Sequence, residues 1–199
     1  MRSDQTSMGR VVPFSDAVVA IAITLLVLPL TEIDAGDYDG SFAELLSDNW
    51  ATLSAFAISF AVISMFWLAH HRIFGRLKAV DSTIVLVNLL WLACIVFLPF
   101  PTSLVQEDAS SAFTTFYLAC LLMTSVVTKW LTVVIERRPA LWSGPPDEAS
   151  RQGSVRGWLT VAGFAFAVVV SLASPRYGLY ALLLLTLVDP VARLLTRPR

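Results

Sequence analysis

The chain has 199 residues, 56% of them hydrophobic and 15% charged, with a mean hydropathy of +0.71. Soluble domains carry about a quarter charged residues, so a water-soluble enzyme is excluded and most of the chain reads as dissolved in lipid. The net charge of −1 supplies no basic field for nucleic acid.

A helix needs roughly 20 mostly apolar residues to cross a bilayer. Six stretches qualify, at about 12–31, 50–71, 82–101, 110–134, 154–174 and 177–195. The expected fold is therefore an all-α integral membrane protein, one multi-pass domain over residues 1–199 with both termini on the same side. The first apolar run has no small-residue cleavage site before the acidic loop that follows, so it is expected to be a retained span rather than a signal peptide. The breaks are expected at Thr31 to Asn49, Arg72 to Asp81, Thr102 to Ala109, Ile135 to Gly153, and a tight turn at Ser174-Pro175-Arg176. In the Arg138 to Gly153 loop, Pro139, Gly144, Pro145 and Pro146 argue against order.

Lys and Arg concentrate in cytoplasmic loops. Arg2, Arg10, Arg72, Arg76, Lys78, Lys129, Arg137, Arg138, Arg151, Arg156, Arg193, Arg197 and Arg199 all fall on one side of this arrangement, and only Arg176 on the other. The opposite loops hold Glu32, Asp34, Asp37, Asp39, Glu44, Asp48, Glu107 and Asp108. Both termini are thus expected in the cytoplasm. Cys94 and Cys120 lie inside apolar runs without CxxC spacing, as packing residues rather than a disulfide or a zinc site.

The first span is the most informative. Pro13 suits the first turn of a helix, where its missing N–H is not needed, and the helix is expected to run on to Leu28. Asp16 in an apolar helix needs a partner or water, and two readings stand: a functional carboxylate, or one satisfied by free N–H groups and the positive dipole end in the first turn. At about 100° per residue, Ala17, Ile21, Thr24, Leu25 and Leu28 share roughly one third of the circumference, with Ser15 and Asp16 pointing away. Such a stripe either packs helices or lines a pore.

The second span ends on His70 and His71. Adjacent helical residues point about 100° apart, so the pair does not converge on one ligand and no metal site or other cofactor is expected.

Arg10-x3-Phe14-Ser15-Asp16, running into Ala20-Ile21-Ala22-Ile23-Thr24-Leu25-Leu26, resembles the first-span signature of the transmembrane protein 175 family of potassium channels. Phe66-Trp67-Leu68-Ala69-His70-His71-Arg72-Ile73-Phe74, then Asp81, Asn88 and Phe97-Leu98-Pro99-Phe100-Pro101-Thr102, resembles the same family's short prokaryotic members. The resemblance covers spans one to three. It implies a homotetramer of six-span subunits in a prokaryotic plasma membrane, with the first span of each lining a central pathway for monovalent cations. It places Ile21 at a hydrophobic constriction that Leu25 and Leu28 continue, and Thr24 at a hydroxyl ring implicated in preferring potassium over sodium. These are positions of the stripe found from helical geometry. It also implies a buried polar network at the motif positions Arg10, Phe14, Ser15, Asp16, Trp67, His70, His71 and Asn88, in which one imidazole and Asn88 satisfy Ser15 or Asp16 across the helix interface.

No TVGYG-like segment exists, so a filter of stacked backbone carbonyls has no sequence support. A narrow Ile21 ring instead gates by dewetting, with Thr24 one turn outward supplying oxygens. Glu32 and Asp34 follow the outer end of the span, either focusing cations or as an ordinary solvated loop. The principal rival is a proton-coupled transporter using Asp16 and His70 or His71. An intramembrane enzyme lacks any GxSxG, HExxH or paired-aspartate motif.

Overall fold

Two helix ends in this chain fall where proline removes a donor, and two helix starts carry a polar side-chain cap. The computed structural model describes residues 2–34, 38, 41–107, 110–144, 148–174, 182 and 188–195. The first helix, α1, spans Arg2–Leu25. Pro29 has no N–H for the Leu25 carbonyl and crowds it. The Leu26 and Val27 amides turn instead to the Ile23 and Thr24 carbonyls, at 3.3 and 3.2 Å, and a single further turn, α2 (Leu28–Thr31), follows. The helix expected to continue to Leu28 therefore ends three residues earlier.

Its start also differs from expectation. Pro13 lies inside α1, because the polar residues before it are helical too. The Gly9 carbonyl that Pro13 leaves without its donor belongs to an exposed residue, where water can serve it. Asp16 consequently sits roughly four turns into the helix, and free N–H groups of a first turn do not account for it.

Inside the loop expected between spans one and two lies α3 (Phe42–Asp48), capped by the Ser41 side chain accepting from the Glu44 amide at 3.4 Å. Next comes α4 (Trp50–Phe74). The third span is made of α5 (Ser82–Phe97) and α6 (Pro99–Glu107). Pro99 has no N–H for the Ile95 carbonyl, which the Leu98 amide takes at 3.1 Å. Helix resumes at once, so the break expected at Thr102 falls several residues later. Two long helices follow, α7 (Ser111–Glu136) and α8 (Glu148–Ala173), then a short α9 (Val188–Leu195). Five helical stretches among the described residues are long and apolar enough to cross a membrane. The expected sixth span, 177–195, lies mostly outside the described residues; its end is α9.

The basic end of the bundle is tied together by its loops. Asp81 accepts from the Ile84 amide at 2.9 Å as the cap of α5, and its second oxygen meets the Arg138 Nε at 2.9 Å. The loop that its prolines marked as without order is ordered over 139–144: Pro139–Leu141 form one 3-10 turn, and Leu77 and Trp142 form an antiparallel bridge. The Lys78 amide donates to the Leu141 carbonyl and the Ser143 amide to the Arg76 carbonyl, both at 2.9 Å. Here backbone donors of one loop meet carbonyls of the other, a pairing that no single-segment composition reveals.

In the spanning layer α7 packs most extensively on α8 and next on α5, while α1 lies against α5 and α4. The main core joins Val19 and Ala22 of α1 and Leu26 just past its end to Ile63 and Phe66 of α4, Trp91 and Ile95 of α5, Leu118 and Leu121 of α7 and Phe164 of α8. Lipid tails are as apolar as these side chains, so close packing and interhelical hydrogen bonds hold the helices rather than a hydrophobic effect. Ser59 of α4 lies 2.9 Å from both Thr102 of α6 and Tyr117 of α7, all three buried.

The Asp81 junction separates two contributions. Asp81→Ala removes both cap and ion pair and is expected to cost about 1–2 kcal/mol, a few degrees in Tm for a chain of this size. Asp81→Asn keeps a capping oxygen and is expected to cost less than half as much, read by thermal unfolding in detergent.

Candidate functional site

Two faces of α1 define the site. On the inner face Ser15 is fully buried. Its hydroxyl donates to the Val11 carbonyl at 2.9 Å, and Asn88 Nδ2 of α5 donates to the same Ser15 oxygen at 2.9 Å. Because the Ser15 proton is committed to Val11, the hydroxyl must accept from the Asn88 amide nitrogen, which fixes the amide orientation. Asn88 Oδ1 then faces His70 Nε2 of α4 at 2.7 Å. An amide oxygen only accepts, so Nε2 carries the imidazole proton. Three helices are joined by one directional relay, from His70 through Asn88 and Ser15 to the α1 backbone.

Aromatic rings seal it. His70 is stacked between Phe74 and Trp91, with centroids at 4.2 and 4.3 Å. Trp91 Nε1 donates at 2.9 Å to Thr128 of α7, whose hydroxyl donates to the Thr124 carbonyl. Trp91 was not among the residues singled out in the sequence. The available signal was its spacing: Asn88 and Trp91 are three apart in a helix and share a face, as do His70 and Phe74 four apart.

Beside the relay, Trp67 Nε1 donates to Asp16 Oδ1 at 2.8 Å. This indole, and not a helix terminus, satisfies the carboxylate. His71 is exposed, its ring 5.5 Å from that of Trp67. The structure thus brings Ser15, Asn88 and His70 into one chain of hydrogen bonds and Asp16 and Trp67 into a second. Arg10 and Phe14 are exposed and enter neither. They lie on the far side of α1 from its buried face.

That face carries the stripe. Val19, Ala22 and Leu26 are at most 2% exposed, whereas Ile21 is 60%, Leu25 38% and Leu28 53% exposed. Ala17 and Thr24 are exposed with them. Thr24 Oγ1 donates to the Ile21 carbonyl at 2.8 Å. Its proton is thereby turned back to the helix, and the lone pairs are left for whatever lies outside. Glu32 and Asp34 are exposed just beyond α2. Among the described residues no three His, Cys, Asp or Glu side chains converge as metal ligands.

A sequence model of the family described as the endosomal/lysosomal potassium channel TMEM175 matches residues 10–99, the segment holding the stripe, Ser15, Asp16, Trp67, His70 and Asn88. A potassium channel of Streptomyces collinus is 38% identical over 99 residues, covering 50% of this chain and 48% of that protein. One from Chamaesiphon minutus is 42% identical over 106 residues, 52% of each. The chain spans about half the length of these curated relatives. The crystal structure of a lysosomal potassium-selective channel TMEM175 homolog from Chamaesiphon minutus superposes with a TM-score of 0.76 at 25% identity, covering 98% of this chain and 100% of that one. Over residues 10–99 the chain matches the TMEM175 family model, and it shares that homolog's fold across nearly its whole length.

The relay predicts an order of stabilities. Asn88→Ala strands both the Ser15 and His70 ends in a buried site and is expected to cost about 2–4 kcal/mol. Ser15→Ala strands only one amide hydrogen and is expected to cost about 1 kcal/mol. In a double-mutant cycle read by unfolding in detergent, the two substitutions are expected to couple by about 1 kcal/mol; strict additivity would disprove the relay.

Proposed function

We propose that the chain is the subunit of a tetrameric potassium channel in a prokaryotic plasma membrane, its basic end in the cytoplasm, conducting passively along an axis lined by α1. One observation carries the reading: the Ile21, Thr24, Leu25 and Leu28 face is turned out of the subunit while the opposite face of the same helix is held inward by Asn88. A single subunit encloses nothing along that face, so copies of it must meet to make a conduit. The potassium channels of Streptomyces and Chamaesiphon, similar to the segment that contains α1, support potassium as the permeant ion.

Each part of the stripe has a physical task. A ring of Ile21 side chains makes a short apolar neck in which water and ions are unstable until it widens. Thr24, one turn outward, offers hydroxyl oxygens whose protons are already given to the Ile21 carbonyl, the orientation a partly dehydrated cation requires. Leu25 and Leu28 extend the apolar lining toward the outer mouth. There the negative ends of the α1 dipoles, each equal to about half a charge, combine with Glu32 and Asp34 to raise the local cation concentration.

A proton-coupled transporter would need Asp16 and the histidines on one path. Asp16 is held by Trp67 and His70 by Asn88, and no hydrogen bond among the described residues links the two arms.

Purified protein in liposomes under a potassium gradient is expected to give rapid, passive potassium flux without stoichiometric proton movement; obligatory proton exchange would overturn the proposal. Single-channel recording of Ile21→Asn is expected to show raised conductance or open probability. In Thr24→Ala, loss of about 1 kcal/mol of differential coordination, the usual net value of one polar contact, is expected to lower the potassium-to-sodium permeability ratio about fivefold in bi-ionic reversal potentials. An unchanged ratio would remove Thr24 from the selectivity step. Neutralising Glu32 and Asp34 together is expected to reduce conductance at low salt and to do little at high salt, where screening is short-ranged.

A further inference from the structure

The outward face of α1 continues below the apolar stripe. Arg10 lies seven residues before Ala17 and eleven before Ile21 in the same helix, which at about 100° per residue sets it between them, within about 20° of each. Phe14 falls within about 20° of Ile21 by the same count. Exposure follows the geometry: Arg10 and Ala17 are exposed and Phe14 is 54% exposed, whereas Ser15 and Val19 on the opposite side are buried. One face of α1 thus runs from Leu25 back through Ile21, Ala17 and Phe14 and ends, toward the basic end, on a cation.

Arg10 has no task inside the subunit. Among the described residues no hydrogen bond or ion pair engages its guanidinium. Asp16, six residues on, points about 120° away around the helix and is held by Trp67; Asp81 is taken by Arg138. Yet Arg10 stands inside the apolar stretch that starts at Met8. A charged side chain in a span must reach water or a partner, and a face turned toward a water-filled conduit gives it water.

We propose that Arg10 controls the rate at which potassium enters from the basic end, as a ring of four positive charges around that mouth of the conduit. This rests on the tetrameric reading above. A positive ring depletes cations at its mouth while Glu32 and Asp34 enrich them at the other, and the positive ends of the α1 dipoles have the same sign as the ring. Outward current starts from the depleted side and inward current from the enriched one, so in equal potassium the inward current is the larger. The Ile21 neck lies about 16 Å further along the helix. Arg10 therefore acts on the supply of ions and not on the gate.

Single-channel currents in equal potassium on both sides, at high and at low salt, test the assignment. Wild type is expected to pass inward current more readily than outward, and more so at low salt. For charges about 10 Å from the axis, Arg10→Gln is expected to raise outward conductance about twofold at about 0.15 M salt and about fivefold at about 0.01 M, with a smaller change inward. Arg10→Glu is expected to reverse the asymmetry and Arg10→Lys to keep it. A merely structural role would not yield a direction-dependent effect that salt removes. In an Arg10→Cys channel with Cys94→Ala and Cys120→Ala, a cationic methanethiosulfonate applied from the basic side is expected to restore the wild-type asymmetry, and an anionic one to oppose it, on channels already folded and conducting. Arg10→Gln or modified Arg10→Cys channels that conduct with wild-type asymmetry and salt dependence would overturn the assignment and leave passive conduction standing. Protein that passes no potassium current at all would overturn both.

Discussion

A hydrogen-bond relay of three side chains decides which way the first helix faces. In water a helix finds its rotation by hiding its apolar stripe; in lipid that preference vanishes, because the surroundings are as apolar as the stripe. Here Asn88 reaches Ser15 on one side and His70 on the other, and each bond fixes the donor and acceptor roles of the next. Any large rotation of α1 would leave buried polar atoms unpaired, a loss that the local dielectric makes severe. The Trp67 bond to Asp16 adds a second restraint about 100° around the same helix. The exposed Ile21, Thr24, Leu25 and Leu28 face follows from these restraints rather than from its own composition.

Proline sets the lengths as the relay sets the rotation. Pro29 ends α1 just past Leu25, and Pro99 divides the third span into α5 and α6 without ending it. At the other end of the molecule loops take over the task, with Asp81 serving α5 and Arg138 at once. The bundle is therefore pinned by the relay within about two turns of its basic end, and at that end by loop pairing. Its outer end carries the acidic residues and the short α2 and α3. Such a division suits a first helix that must hold its orientation, as the proposed meeting of copies requires.

Most of the fold was legible because bilayer thickness imposes a length that hydropathy reports directly, and because basic residues cluster at one end. The stripe was legible too, since 100° per residue is a property of the helix and not of its neighbours. What escaped depended on partners distant in sequence. Asp16 read either as a functional carboxylate or as one satisfied in a first turn; the helical residues before Pro13 place it deep in α1, with Trp67 from another span as its donor. Which histidine engages Asn88 is a matter of how α4 is rotated, and nothing local distinguishes His70 from its neighbour. Pro139 and Gly144 argued against order, yet order there comes from Leu77 and Trp142 pairing across two loops. Lys129 looked like one more basic residue near a membrane face; its burial against Gly157 required knowing that α7 and α8 are adjacent.

The central claim is that the outward face of α1 meets its own copies around a shared axis. Disulfide cross-linking in native membranes tests it most directly, in a Cys94→Ala, Cys120→Ala background with a single cysteine introduced at Ile21 or, as a control, at Leu172 of α8, which is equally available on an isolated subunit at 72% exposure. The account predicts rapid inter-subunit bonds through position 21 and none through position 172. Cross-linking through 172 with position 21 inert would place the stripe against lipid and contradict it.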